Sequence, residues 1–156
     1  MTIHTRLIVG TTGSGKTYRL RQLAAQHAAD PTVTVWAISP YNELTDTDHH
    51  TSPDGAERML AAALALVEQR RTHGPEHQPT PHEPHLRILV DEVEQVLRQP
   101  EAGRMLLQLA LTGRPAAVDT VLTASTHRLD LWPLALRDLL ADDTEHLPRP
   151  HPYTED

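Results

Sequence analysis

The octapeptide Gly10-Thr11-Thr12-Gly13-Ser14-Gly15-Lys16-Thr17, directly after the apolar run Leu7-Ile8-Val9, constrains this chain more than any other segment. It satisfies the full G-x-x-x-x-G-K-[ST] pattern, which requires a buried strand, a tight loop and the start of a helix. Gly10, Gly13 and Gly15 permit backbone conformations that side chains would block. Consecutive N–H groups can then converge on phosphate oxygens, with the partial positive charge of the helix N-terminus behind them. Lys16 is expected to reach the β- and γ-phosphates, and the Thr17 hydroxyl to ligate magnesium. With Thr11, Thr12, Ser14 and the following Tyr18, these are the candidate nucleotide-binding residues. The expected cofactors are ATP and Mg2+.

The remaining periodicities predict a strand–helix alternation. Leu20, Leu23, Ala24 and Ala28 recur at helical spacing up to Asp30-Pro31, where proline cannot continue the helix. Val33–Ile38 reads as a second strand and Tyr41–Thr51 as a polar loop. Ser52-Pro53-Asp54 carries helix-start chemistry, and Met59, Leu60, Ala63, Leu64 and Val67 define a helical face running to about Arg71. Thr72–Pro84, rich in Pro and His, is expected to be a mobile loop. The third strand is Leu86–Val90, followed by a helix from about Ala102 to Leu111. Val118–Thr123 is the fourth strand and Leu129–Leu140 a last helix, with Pro133 in its first turn. No strand is evident in the tail from Ala141.

Four strand–helix alternations predict an open, parallel α/β sheet with helices on both faces and ligands beyond the C-terminal strand ends. Gly10 and Asp91 both follow such ends, so they should meet in space. Asp91 would hold magnesium, directly or through water, and Glu92 would orient and polarise the water that attacks the γ-phosphate. An acidic residue beside the metal aspartate points to hydrolysis and away from small-molecule kinases. The fourth strand ends among Thr123, Ser125, Thr126 and His127, a group suited to sensing the γ-phosphate.

Composition narrows the class. The 156 residues suit one domain, expected over residues 1–145 with a flexible tail at 146–156. The chain contains no Phe, and an aliphatic core suits a parallel sheet covered by helices. Absence of cysteine excludes disulfides and thiolate metal sites. A net charge of −7 gives no general nucleic-acid-coating surface, although it leaves room for a local basic path. No apolar run approaches a membrane span, and the N-terminus lacks signal-peptide features, so a cytoplasmic location is expected. His73, His77, His82 and His85 are too irregularly spaced, and too poorly supported, to read as a zinc site. Trp36 is expected in the core and Trp132 docked on the sheet.

Taken together, these motifs resemble the FtsK–HerA group of DNA-pumping ATPases. The phosphate loop is similar to that family's version in its threonines and serine. Ile38-Ser39-Pro40-Tyr41-Asn42-Glu43-Leu44 resembles its second-strand segment, usually Ile-Asp-Pro-Lys followed by Glu-Leu. Glu68-Gln69-Arg70-Arg71, Asp91-Glu92 and Leu111-Thr112-Gly113-Arg114 resemble its later motifs, in the same order from about residue 5 to 140. The resemblance implies a RecA-like P-loop core, sheet order about 2-3-4-1 in the predicted strands, working as a ring on double-stranded DNA. In such rings an arginine reaches the neighbouring subunit's γ-phosphate, and Arg114 is the position that would carry this role. Pore-facing loops grip DNA in the family; here the 72–85 segment has only Arg70 and Arg71 nearby. Ser39 and Tyr41 replace the family's Asp and Lys, and alignment of the sensor strand puts Ser125, or with one further insertion His127, at the sensor glutamine. The predicted order leaves the phosphate-loop strand at an edge unless the tail or another subunit covers it. The resemblance also implies a homo-oligomer or a larger partner complex. The alternative is a nucleotide-dependent regulatory or binding module with slow or no hydrolysis, favoured by the small size and acidic charge.

Overall fold

The structure, a computed structural model, describes residues 6–11, 13–125 and 132–148. Its frame is a parallel sheet built from β1 (Arg6–Val9), β2 (Val33–Ile38), β3 (His49–Thr51), β4 (His85–Val90), β5 (Val118–Ala124) and β6 (Thr144–His146), ordered β3-β2-β4-β5-β1-β6. The four predicted strands are β1, β2, β4 and β5, and their order is the expected one. The chain has the α/β fold of RecA-like P-loop domains.

Two short strands at the margins differ from expectation. His49–Thr51, expected as loop, pairs in parallel with Trp36–Ile38. Thr144–His146, in the tail expected to hold no strand, pairs with Leu7–Val9 and is extended by Leu147 N–H donating to Val9 O at 2.8 Å. Arg6 and Arg19 flank it with contacts to Glu145 at 3.3 and 3.4 Å. The edge of β1 is thus covered from within the chain, and β6 carries the sheet across the expected domain boundary at 145. Three-residue strands without apolar alternation leave no periodic signal to read.

Alternation along the strands assigns the two faces. Leu7, Val9, Leu86, Ile88, Val90, Leu122 and Ala124 face one way, against α2 (Ala56–His73), α3 (Val93–Leu97), α4 (Pro100–Thr112) and α5 (Leu134–Leu140). Ile8, Val35, Ala37, Leu89 and Val121 face the other, against Leu20 and Ala24 of α1 (Lys16–Ala28) and Leu44. All seven residues of β5 are buried, as the central position of a doubly covered sheet requires. Each fully buried aliphatic side chain contributes about 1.5–3 kcal/mol. Trp36 is half-buried against the larger cluster, and Trp132 is buried within it.

Helix α2 starts at Ala56, after a 3-10 turn over Pro53–Gly55. Pro100 opens α4 two residues before the expected start, and α3 precedes it unannounced because five residues are too few for a readable period. Within the described residues α5 begins at Leu134, after Pro133; the part of the predicted helix at 129–131 lies outside them.

The Pro/His-rich segment, expected to be mobile, is tied down. His77 N–H donates to Pro115 O at 2.7 Å, and Thr80 and Glu83 are bonded to one another through Thr80 N–H and Glu83 N–H. Beneath it Arg70 is 7% exposed and donates to Ala116 O at 2.8 Å and Pro84 O at 2.6 Å. A guanidinium spent on buried carbonyls is a structural clamp, so Arg70 is withdrawn as a DNA contact. At the same end of the sheet Arg87 and Asp119, register partners on β4 and β5, form a buried two-pronged pair at 3.1 and 3.2 Å.

Candidate active site

The sheet delivers the ends of β1, β4 and β5 to one place. β1 runs into the phosphate loop, whose Gly10 N–H prolongs the ladder by donating to Ala124 O at 3.1 Å. Ser14 N–H closes the turn on Thr11 O at 3.0 Å. Gly13 and Gly15 have φ of 82° and 94°, a region that strains residues bearing a Cβ. A Cβ on Gly10 would overlap Ser14 Oγ, so the close approach of loop and strand requires glycine there as well. Thr11, Gly13 and Gly15 are exposed, which leaves the concave side of the loop open to a ligand. Thr12 lies outside the described residues.

Lys16 opens α1 and is only 8% exposed. Its ammonium donates to Gly10 O and to Ser125 Oγ, the latter at 3.4 Å. It makes no ion pair with a carboxylate among the described residues. A nearly buried cation held by neutral oxygens, at the positive end of a helix, suits an anionic ligand. Ser125, the candidate sensor, follows the end of β5 and contacts this lysine. Thr126 and His127 are outside the described residues, so the structure compares only Ser125 with that role.

The second half of the site comes from β4. Asp91 is 2% exposed, and its two oxygens accept from Thr17 Oγ1 at 2.8 Å and Thr123 Oγ1 at 2.6 Å. The Thr17 hydroxyl and Asp91 carboxylate are hard oxygen donors on adjacent side chains, a set that fits Mg2+ completed by water and phosphate. No cluster of three or more His, Cys, Asp or Glu residues competes for a metal among the described residues.

Glu92 follows in a left-handed conformation, with φ 52° and ψ 61°. This bend ends the strand and turns the next residues into α3. The Glu92 N–H donates to Thr123 Oγ1 at 3.0 Å, and its Oε2 accepts from Gln95 Nε2 at 2.7 Å. Glu94 accepts the backbone N–H of Ser125, tying α3 to the end of β5. Thr123 therefore locks Asp91 and Glu92 together. It was legible in the sequence only as one polar residue among several at the fourth strand's end, and Gln95 carried no signal there.

Three residues sit apart from this cluster. Tyr18 is 62% exposed on α1 beside Arg21 and Asp46. Ser39 is buried and closes its own turn, donating to Tyr41 O at 2.8 Å. Arg114 is exposed in a 3-10 turn before β5, at the opposite end of a seven-residue strand from Ser125. At about 3.3 Å per residue that strand separates the two by roughly 20 Å. Arg114 cannot serve the phosphate loop of its own chain.

The fold and the loop together place the chain in the class of RecA-like P-loop α/β domains. No family model and no curated protein sequence matches the chain. Among solved structures it is similar to Thermomonospora curvata EccC (ATPases 2 and 3) in complex with a signal sequence peptide, at 20% identity and TM-score 0.70. It is similar to EssC (ATPases 2 and 3) from Geobacillus thermodenitrificans, at 16% and 0.72. A third match is the pCW3 conjugation coupling protein TcpA, at 14% and 0.67. These alignments cover 86%, 88% and 88% of this chain, and 30%, 30% and 47% of the three neighbours. At such identities the likeness is one of fold, and this chain spans less than half the length of each neighbour.

Proposed function

We propose that this domain binds Mg-ATP in the Gly10–Thr17 loop and hydrolyses it as an FtsK-like motor domain. Lys16 would hold the β- and γ-phosphates, Thr17 and Asp91 would hold the magnesium, and Glu92 would accept a proton from the attacking water. The observation that carries this reading is the 2.8 Å contact between Thr17 and Asp91, with Glu92 next in the chain. Magnesium, when bound, neutralises charge developing on the phosphates; the chain's own groups position and polarise.

Arg114, exposed and remote from its own loop, supports work in an oligomer, where it would face a neighbour's γ-phosphate. Double-stranded DNA is the proposed cargo, on the strength of the motif resemblance and the similarity to a conjugation coupling protein. Among the described residues no helix is long and apolar enough to cross a membrane. A cytoplasmic site of action remains part of the proposal.

The deciding experiment is Glu92→Gln: ATP binding persists and hydrolysis is lost. Normal turnover by that variant would sink the assignment. The acidic charge of −7 favours a second reading, a nucleotide-dependent binding module. Stimulation of ATPase activity by duplex DNA supports the motor; no stimulation across a range of salt concentrations supports the module.

A further inference from the structure

We propose that Gln95 is a positioning residue for hydrolysis: its side-chain amide fixes the Glu92 carboxylate in the orientation that receives the proton of the attacking water. The inference rests on the hydrolytic reading of Glu92 above and assigns a second residue to that site.

Glu92 is held at each of its handles. Its backbone is left-handed, its N–H is bound by Thr123 Oγ1, and its Oε2 accepts from Gln95 Nε2 at 2.7 Å. A Glu carboxylate on an exposed turn rotates freely about its last torsion. Here one oxygen is engaged by an amide donor, which leaves the other to accept from water. The backbone that carries the donor is itself anchored. Gln95 N–H donates to Glu92 O at 3.0 Å, and its neighbours Val93, Val96 and Leu97 are buried in the larger core cluster. Gln99, one turn on, is anchored to Pro53 O at 2.7 Å. The short helix α3 is thus a bracket fastened to the core on one face. On the other it presents Gln95 to the candidate base and Glu94 to the Ser125 N–H.

In the reaction, the water oxygen forms a bond to the γ-phosphorus as the bond from that phosphorus to the ADP oxygen breaks. The water's proton passes to Glu92 and then to the released phosphate. Gln95 exchanges no proton. Its contribution is the angle of the carboxylate, to which a step controlled by orientation is sensitive.

The test is single-turnover hydrolysis of radiolabelled ATP, enzyme in excess, by the wild type, Gln95→Met, Glu92→Gln and the double variant. Methionine keeps the length and helix propensity of glutamine but has no N–H donor. The expected results are a hydrolysis rate lowered ~10-fold in Gln95→Met, with ATP affinity and melting temperature unchanged. Glu92→Gln and the double variant, both expected to lose hydrolysis, give the baseline against which the residual rate of Gln95→Met is read. Gln95→His, which restores a donor, should recover part of the rate. Wild-type or faster hydrolysis by Gln95→Met, with Glu92→Gln inactive, overturns the role of Gln95 and leaves the base in place. Full activity in Glu92→Gln, or no hydrolysis by the wild type, overturns the hydrolytic reading and this inference with it.

Discussion

Thr123 Oγ1 donates to Asp91 Oδ1 at 2.6 Å and accepts the Glu92 N–H at 3.0 Å, so one hydroxyl on β5 ties the Asp91 carboxylate to the backbone of Glu92, the two acidic residues that follow β4. The strands are neighbours only because a helical crossover returns the chain beside itself; 32 residues separate Thr123 from Asp91.

Thr123→Val keeps the shape of the side chain and removes both bonds. The buried Asp91 then loses a donor and the Glu92 N–H loses its acceptor. Leaving such groups unsatisfied costs about 1–3 kcal/mol of stability, read from urea denaturation. Magnesium-dependent ATP affinity should fall as well, since Asp91 is no longer oriented. A variant as stable as wild type would show that the hydroxyl carries no such load.

Arg70→Met tests the clamp beneath the 77–84 segment. The aliphatic stem is retained, while the carbonyls of Ala116 and Pro84 lose their donor. The expected loss is about 1–3 kcal/mol. Faster amide exchange at His77, Glu83 and Ala117, whose N–H groups sit in this loop-and-turn assembly, would accompany it. Arg70→Lys should not rescue, because an ammonium cannot reach both carbonyls as the planar fork does. If exchange in the segment is unchanged by Arg70→Met, the clamp is not what orders it.

His27 makes stability depend on pH. Burial holds its pKa below 6.5, and the nearby Arg87 pushes in the same direction; Asp119 and Asp30 oppose, and His85 adds to the depression. Its Nε2 lies 2.8 Å from Arg87 Nη1 and, neutral, accepts from it. Between the folded value and 6.5 the unfolded chain binds a proton that the folded chain refuses. Stability attributable to this group is therefore complete above 6.5 and lost as pH falls below it, levelling off beneath the folded value. His27→Gln keeps an acceptor for Arg87 and cannot titrate. Its stability, followed by denaturation from pH 8 to 5, should fall less steeply than that of the wild type. Parallel profiles would assign the slope to other histidines.

Much of the candidate site is readable without coordinates because its chemistry is local. Eight consecutive residues encode the phosphate loop, since backbone N–H groups, glycine freedom and a helix start all lie within one turn. Asp91-Glu92 is equally visible, as polar residues closing an apolar strand. Gln95 is not, and Thr123 shows only as one polar residue among several at a strand end, because a glutamine in a helix and a threonine in a strand have ordinary reasons to be there. Their meaning comes from hydrogen bonds that distance in the chain does not announce.

The edges of the sheet show the same division. The order β2-β4-β5-β1 follows from the motif resemblance and from the need to bring two strand ends together. The covering of β1 by Thr144–His146 is decided by backbone pairing, and a three-residue strand carries no side-chain code for its partner. Arg70 was legible as a cation and turned out to be a buried clamp, because its surroundings are carbonyls from segments 14 and 46 residues away.

By itself, then, the sequence determined the phosphate loop, the carboxylate proposed to hold the metal and the central α/β alternation, each through patterns shorter than one element. Tertiary structure alone decided which hydroxyl aligns Asp91, which amide holds Glu92, and that Arg114 lies a full strand away from its own loop. These are relations between elements, fixed when burial of both sheet faces brings together residues that no local pattern pairs.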